Sequence, residues 1–330
     1  MKIEPVSAEE YSQIVELFKE YGFALQEESW FEWKHLKNPV GQSVVYKIMS
    51  DEKLNGTVAV ISQMYRQGGR KFMAMQAVDG LMGRNLRGKG LFSDVMAFVA
   101  GLCSQGDDEP CFRIGFASVP GSMKALANAK WNKLFRFRIK KAVLDASALT
   151  PLPGGTFFSV LLKPIWPIYR AWLCRGHGDI DIRKIDRFTE DMNRFQPRER
   201  VTGDRGVEFM NWRVIDNPRD KLQAFKFDHQ NELVGYVICK ELPECLEILE
   251  FRTSLSGRKV IASFLKYLVD KKLTRVVDFW LAEGFEQFDK LPTGMMDRGF
   301  NGAMFINGHR ELGLSDDNTQ WAGSYLDSDW

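Results

Sequence analysis

Apolar positions in the first 150 residues follow two periods, and the switches between them mark the elements. Tyr11, Ile14, Val15, Leu17 and Phe18 recur at helical spacing behind Ser7-Ala8-Glu9-Glu10, a capping box that predicts where this helix begins. A second helix is expected over about Glu28 to Leu36, and Asn38-Pro39-Val40-Gly41 breaks it. Apolar runs predict strands near Val44–Met49, Leu54–Tyr65 and Lys71–Leu81. Phe92, Val95, Met96, Val99 and Leu102 then give a helix over Gly90–Leu102 one apolar stripe. Cys111–Phe116 reads as a short buried strand, Met123–Ala129 as a helix and Phe135–Leu144 as extended chain.

The second half is similar but plainer. Strands are expected near Asp179–Ile185, Leu222–Phe227, Leu233–Cys239, Leu246–Phe251 and Arg275–Ala282, with helices at Phe188–Phe195, Val207–Val214 and Gly257–Val269. The two halves also share an opening. Trp33-Lys34-His35-Leu36-Lys37-Asn38-Pro39 is matched by Trp212-Arg213-Val214-Ile215-Asp216-Asn217-Pro218, and Gly56 by Gly235 inside an apolar run. One offset of 179 aligns the Trp, Asn, Pro and Gly of both copies without a gap. That period is far above the ~20–50 residues of a solenoid, so the pattern implies a duplicated domain. The division expected is 1–150, an apolar linker over 151–178, and 179–330.

With 330 residues, two domains fit ordinary domain size. The 45 basic and 43 acidic residues nearly cancel, which argues against a dedicated nucleic-acid binder. Five cysteines (Cys103, Cys111, Cys174, Cys239 and Cys245) show no C-x-x-C pair or His/Cys cluster, so reduced thiols in the cytoplasm and no metal site are expected. Nor does an apolar run follow Met1-Lys2-Ile3-Glu4-Pro5, so no export signal is expected there. Phe157–Cys174 is strongly apolar, but Lys163, Pro164, Pro167 and Arg170 interrupt it. A buried connector is the first reading and a membrane-surface segment, with Trp166, Tyr169 and Trp172 at an interface, the second.

Arg87-Gly88-Lys89-Gly90-Leu91-Phe92 joins a predicted strand to a predicted helix. A glycine turn at a helix start leaves several N–H groups unpaired, and with the positive end of the helix dipole they form a cradle for phosphate. The plain alternative is a basic surface turn; the strand-to-helix context favours the cradle.

The order helix, helix, three antiparallel strands, basic glycine loop, helix, strand resembles the GNAT superfamily of acyl-CoA N-acyltransferases. Arg87 and Gly90 fill the first and fourth positions of its [Q/R]-x-x-G-x-[G/A] motif, and Phe92 departs at the sixth, where a small residue is usual. Val78-Asp79, RGKGLF, Gly115-Phe116-Ala117-Ser118 and Lys130-Trp131 look like the GNAT proteins associated with polysaccharide biosynthesis, as do the Trp…Asn-Pro opening and the Asp327-Ser328-Asp329 end. The resemblance implies an α/β (α+β) fold of two tandem GNAT-like domains, each a mostly antiparallel mixed sheet flanked by helices. It implies acyl transfer, with acetyl-CoA or another acyl-CoA as co-substrate, to an amine such as an amino sugar.

On that resemblance the diphosphate would rest on the amides of Gly88, Lys89, Gly90, Leu91 and Phe92 beside Arg87, and the pantetheine arm along Leu81, Met82 and Gly83. The Met82 N–H would polarise the thioester carbonyl. Asp79 is the candidate base. The family's usual Tyr acid has no match between Cys111 and Phe137, which leaves Ser118 and Ser122 as hydroxyls for the leaving thiolate. His35, whose counterpart is Val214, is not required by the fold. The second half has a single glycine in Ser254-Leu255-Ser256-Gly257-Arg258 and is expected to be degenerate. The alternative is a non-catalytic CoA-binding or interaction protein. A transferase taking aminoacyl groups from tRNA is opposed by the R-G-K-G loop and the mild net charge.

Overall fold

The computed structural model of the chain describes residues 1–23, 27–102, 111–149, 160–161, 163–283 and 295–328. Cys103, Asp329 and the start of the apolar stretch at 157–159 lie outside them. The first half contains β1 (Lys2–Pro5), α1 (Tyr11–Glu20), α2 (Glu28–Leu36), β2 (Val44–Ser50), β3 (Lys53–Gln67), β4 (Arg70–Met82), α3 (Leu91–Leu102), β5 (Cys111–Ala117), α4 (Pro120–Asn128) and β6 (Asn132–Val143). After α5 (Trp166–Leu173) come β7 (Asp181–Ile185), β8 (Thr202–Gly203), α6 (Val207–Met210), β9 (Leu222–His229), β10 (Glu232–Glu241), β11 (Leu246–Thr253), α7 (Gly257–Asp270), β12 (Val276–Ala282) and β13 (Met296–Asn307). A π-helical turn, Asn211–Ile215, continues α6, and Glu190–Phe195 is a 3-10 helix where an α-helix was expected over Phe188–Phe195.

Among the described residues thirteen strands join one sheet, in the order β1-β2-β3-β4-β5-β13-β6-β12-β11-β10-β9-β7, with β8 paired to β3. Among the strands described, β4–β5 and β11–β12 pair in parallel and the other pairs are antiparallel. The two halves exchange strands at the centre. β13, from the end of the chain, lies between β5 and β6, while β6 lies between β13 and β12. No strand is predicted beyond Ala282 from the sequence, yet β13 stands in the middle of the sheet. Its period-two alternation is broken by three register shifts against β6 and by Gly299 and Gly302, both at positive φ. Bulges of this kind hide a strand from pattern reading.

Alternation along the strands sorts the core by face. On one face Ala59, Ile61, Tyr236, Ile238 and Met304 pack with α1, α2, α6 and the π turn in a layer common to both halves. On the other face Val58, Val60 and Phe305 pack under α3 and α4. Val237 and Cys239 pack there under α5 and α7. The capping box forms as expected, with the Ser7 amide donating to Glu10 Oε2 at 3.0 Å.

The repeated tryptophans meet. Trp33 and Trp212 stack with ring centroids 4.8 Å apart and planes 22° from parallel. Trp33 Nε1 donates to the Trp212 carbonyl at 3.2 Å, and Trp212 Nε1 to the Trp33 carbonyl at 3.1 Å. Such reciprocity is the signature of a local two-fold relation between the copies. Asn38 and Asn217 shape the turns that follow. Asn38 Oδ1 accepts from the Val40 amide, and Asn217 Oδ1 from the amides of Arg219 and Asp220, each at 3.0 Å.

Cys111 is disulfide-bonded, against the expectation of reduced thiols throughout, whereas Cys174, Cys239 and Cys245 are free and buried. Among the described residues no helix is long and apolar enough to cross a membrane.

Trp33→Ala empties a buried site shared by the two halves and is expected to cost about 3–5 kcal/mol. Trp212→Ala should cost as much, and the double variant less than the two losses combined, because the residues share one contact. Urea denaturation of the three variants checks this; full additivity would contradict it.

Candidate functional site

The parallel ladder between β4 and β5 runs from Met73–Cys111 to Ala77–Gly115 and stops, although both strands continue. On its other edge β4 pairs with β3, and the register shifts so that Asp79 and Gly80 together oppose Val58. This is a β-bulge, and it bends the strand away from its neighbour. Asp79 takes a left-handed conformation there, with φ 52°. Where the strands part lies a cavity of about 150 Å³. The strand segment Gln76–Gly80 lines it, with Phe92 and Met96 of α3, Gly115 and Phe116 of β5, and Ser122 of α4. Phe92 lies over the bulge, for a Cβ placed on Gly80 would come within 3.0 Å of its ring.

The bulge is held from the α2 side. Lys34 Nζ lies 3.0 Å from Asp79 Oδ1 and 2.9 Å from Oδ2, and His35 Nε2 is 2.9 Å from Oδ2. All three side chains are buried. Burial alone would raise the Asp79 pKa, but the Lys34 charge and the His35 hydrogen bond outweigh it and hold the carboxyl below its usual range. Asp79 is therefore an ion-paired carboxylate facing α2. Gln76, also buried, accepts from Gln63, and its Nε2 finds no partner among the described residues.

From the bulge β4 leads to the glycine turn. Gly88 and Gly90 have φ 77° and 79°, and a Cβ on either would meet no atom within 4 Å. The glycines are thus demanded by the backbone angle, and the space beside them is open. The amides of Gly88, Lys89 and Gly90 find no backbone acceptor among the described residues. Those of Leu91 and Phe92 head α3, where a helix leaves its amides free. The turn is braced from behind. Arg87 Nε donates to the Met82 carbonyl at 2.8 Å, the Arg84 amide donates to the Tyr21 hydroxyl at 3.0 Å, and both guanidinium groups lie over the Tyr21 ring.

The second half has the same parting of strands and fills it. The β11–β12 ladder ends at Ile248–Phe279. Ser324 Oγ donates to the next carbonyl of β11, Leu249, at 3.0 Å, and Tyr325 stacks at 3.8 Å on Trp280, the next residue of β12. Arg205 ties this segment down through ion pairs to Asp327 at 2.6 Å and to Glu250 at 2.7 Å, all buried. Arg213, the repeat counterpart of Lys34, donates to the Ser328 carbonyl at 2.5 Å. Asp327, close to the end of the chain, is thus part of the core.

The structure brings Asp79, Phe92 and Ser122 to one cavity. Leu81, Met82 and Gly83 connect it to the turn formed by Arg87, Gly88, Lys89, Gly90 and Leu91. Ser118 is exposed and does not line the cavity. Lys34 and Gln76 are not predicted from the sequence. Lys34 carried one signal, a basic residue after the repeated Trp in both copies. Among the described residues no group of three or more His, Cys, Asp or Glu is placed to hold a metal ion.

No protein-family model matches the sequence, and no curated protein matches it. Solved structures do. A GCN5-related N-acetyltransferase from Anabaena variabilis ATCC 29413 superposes with a TM-score of 0.61 at 11% identity, covering 92% of this chain and 72% of that one. A tandem GNAT protein from the clavulanic acid biosynthesis pathway gives a TM-score of 0.57 at 11% identity, over 93% and 98% of the two chains. Saccharomyces cerevisiae N-myristoyltransferase, solved with bound myristoyl-CoA and inhibitors, gives 0.61 at 12% identity, over 93% and 80%. The chain thus has a mixed α/β fold like that of GNAT proteins, a tandem GNAT protein among them.

Lys34→Met leaves a buried carboxylate without its cation and should destabilise the protein by about 3–5 kcal/mol at neutral pH. Because the folded pKa of Asp79 is lowered, its contribution is present above about pH 4 and fades as pH falls. The gap between variant and wild type should therefore narrow in acid. Urea denaturation across pH checks this; a gap that does not change with pH would contradict it.

Proposed function

We propose that the chain is an acyl-CoA-dependent N-acyltransferase with one donor site, in its first half. The observation that carries this reading is the junction of a parted β4–β5 pair with an open glycine turn at the start of α3. The diphosphate rests on the amides from Gly88 to Phe92, with Lys89 adding charge. The pantetheine arm follows Leu81, Met82 and Gly83, and the thioester enters the cavity. Phe92 narrows that cavity, which favours a short acyl group such as acetyl. The acceptor is an amine; for an amino sugar the support is the motif resemblance alone. An acyl-CoA donor suits a cytoplasmic enzyme.

The neutral amine attacks the thioester carbonyl carbon, a C–N bond forms, the C–S bond breaks and the thiolate takes a proton. A main-chain N–H between Asp79 and Met82 steadies the developing oxyanion. The ion-paired Asp79 is too acidic to draw a proton from an ammonium, so we assign it a positioning role and let water carry the amine proton. Ser122, on the cavity wall, is the donor to the thiolate; Ser118 is left out of the mechanism.

Acetyl-CoA at about 100 times its Kd should stabilise the protein by about 2.7 kcal/mol, read as a rise in Tm. Gly90→Glu should abolish that rise by placing a carboxylate where the diphosphate sits. With a panel of amines the wild type should release thiol, and Ser122→Ala should lower kcat about 10²-fold. A rise in Tm without thiol release would favour a CoA-binding protein that is not an enzyme. No rise, or one that survives Gly90→Glu, would overturn the site.

A further inference from the structure

Large apolar side chains that face solvent are concentrated in one place. Among the described residues twelve are exposed, and five of them, Val160, Leu161, Ile165, Ile168 and Trp172, lie within thirteen positions. Ile168, at 70%, is the most exposed of all. A helix at a protein surface ordinarily turns its apolar stripe inward. α5 does this with Leu173, which is buried against the α7 side of the sheet, but Ile165, Ile168 and Trp172 recur at i, i+3 and i+7 on its outer side. The segment is fixed in place. Trp166 Nε1 donates to the Leu144 carbonyl, just beyond β6, at 3.1 Å, and Leu173 is buried.

Within this segment the charges have one sign, with Asp145 and Asp270 the acidic groups that approach it from outside. No carboxylate occurs between Asp145 and Asp179, whereas Lys163, Arg170 and Arg175 do. Lys163 and Arg175 are exposed. Lys271, Lys272 and the exposed Leu273 follow α7, and the Arg275 carbonyl of the same turn accepts from the Leu144 amide at 2.8 Å, next to the Trp166 anchor. A groove of about 450 Å³ runs between Lys163 and Arg170 on one side and Asp145 to Ser147 on the other. Asp145 is turned to Ser147, whose amide it accepts at 2.8 Å. Trp166, Tyr169 and Trp172 form a ladder along α5, with centroids 5.0 and 6.3 Å apart.

We propose that this face docks on an anionic lipid bilayer, the outer stripe of α5 entering the boundary between headgroups and acyl chains. The match is of two kinds. Apolar and indole side chains partition into the interface, and the surrounding Lys and Arg groups, with no acidic neighbour in the segment, pair with lipid phosphates. With eight residues α5 is too short to span, so the mode is lying on the surface.

Cosedimentation of the full chain with vesicles tests this. The wild type should pellet with phosphatidylcholine vesicles containing phosphatidylglycerol, much less with phosphatidylcholine alone, and less as salt is raised. Ile168→Glu and Trp172→Glu, both at exposed positions, should keep the wild-type Tm and lower the partition coefficient at least tenfold. Lys163→Glu should weaken binding to the anionic vesicles only. A wild type that stays in the supernatant with both vesicle types overturns the proposal, as does pelleting that Ile168→Glu and Trp172→Glu leave unchanged. A dimer that Ile168→Glu dissociates, without vesicle binding, would reassign the face to a seam between two copies.

Discussion

The parting of β4 from β5 depends on one buried ion pair. A parallel ladder has no inherent reason to stop after Ala77–Gly115. It stops because Asp79 and Gly80 share a single partner on β3, and Asp79 can hold its left-handed angle because Lys34 and His35 grip its carboxylate from α2. A buried ion pair is often no more stabilising than apolar packing. Here its value is geometric, since it fixes the bulge that opens the cavity and aims β4 at the glycine turn.

Among the described residues both halves have such a parting, and a cavity lies at the first of them. Lys34 and Arg213 are related by the repeat, and each reaches the parting strands of its own half. Lys34 meets a carboxylate on the strand itself. Arg213 meets the main chain of Ser328, within a segment that Ser324 and Tyr325 seat against β11 and β12. With its gap filled by its own chain, the second half serves the first structurally: β13 completes the sheet beside β5, and Trp212 closes on Trp33.

Much of this was legible in the sequence. Local periodicity located α1 and α3, because each carries an apolar face of ordinary length, and the Asn38-Pro39-Val40-Gly41 breaker marked the end of α2. The offset of 179 was visible as a repeat, and the same number separates the two tryptophans that touch. The R-G-K-G turn was readable because positive φ demands glycine. What stayed hidden was non-local. β13 is irregular in its own alternation, the plugging segment near 324–328 looks like a polar tail until its partners are known, and the Lys34–Asp79 pair joins residues 45 positions apart. Asp79 was recognisable as important by its place before the loop, but its charge state depends on a cation that sequence order does not bring near.

A crystal structure of the chain soaked with coenzyme A would show which gap between parallel strands receives the ligand. Density is expected for the diphosphate over the amides of residues 88–91 and for the pantetheine arm between β4 and β5, with the β11–β12 gap still occupied by Ser324 and Tyr325. Coenzyme A seated between β11 and β12 with that segment displaced, or lying anywhere outside the first gap, would contradict a donor site in the first half.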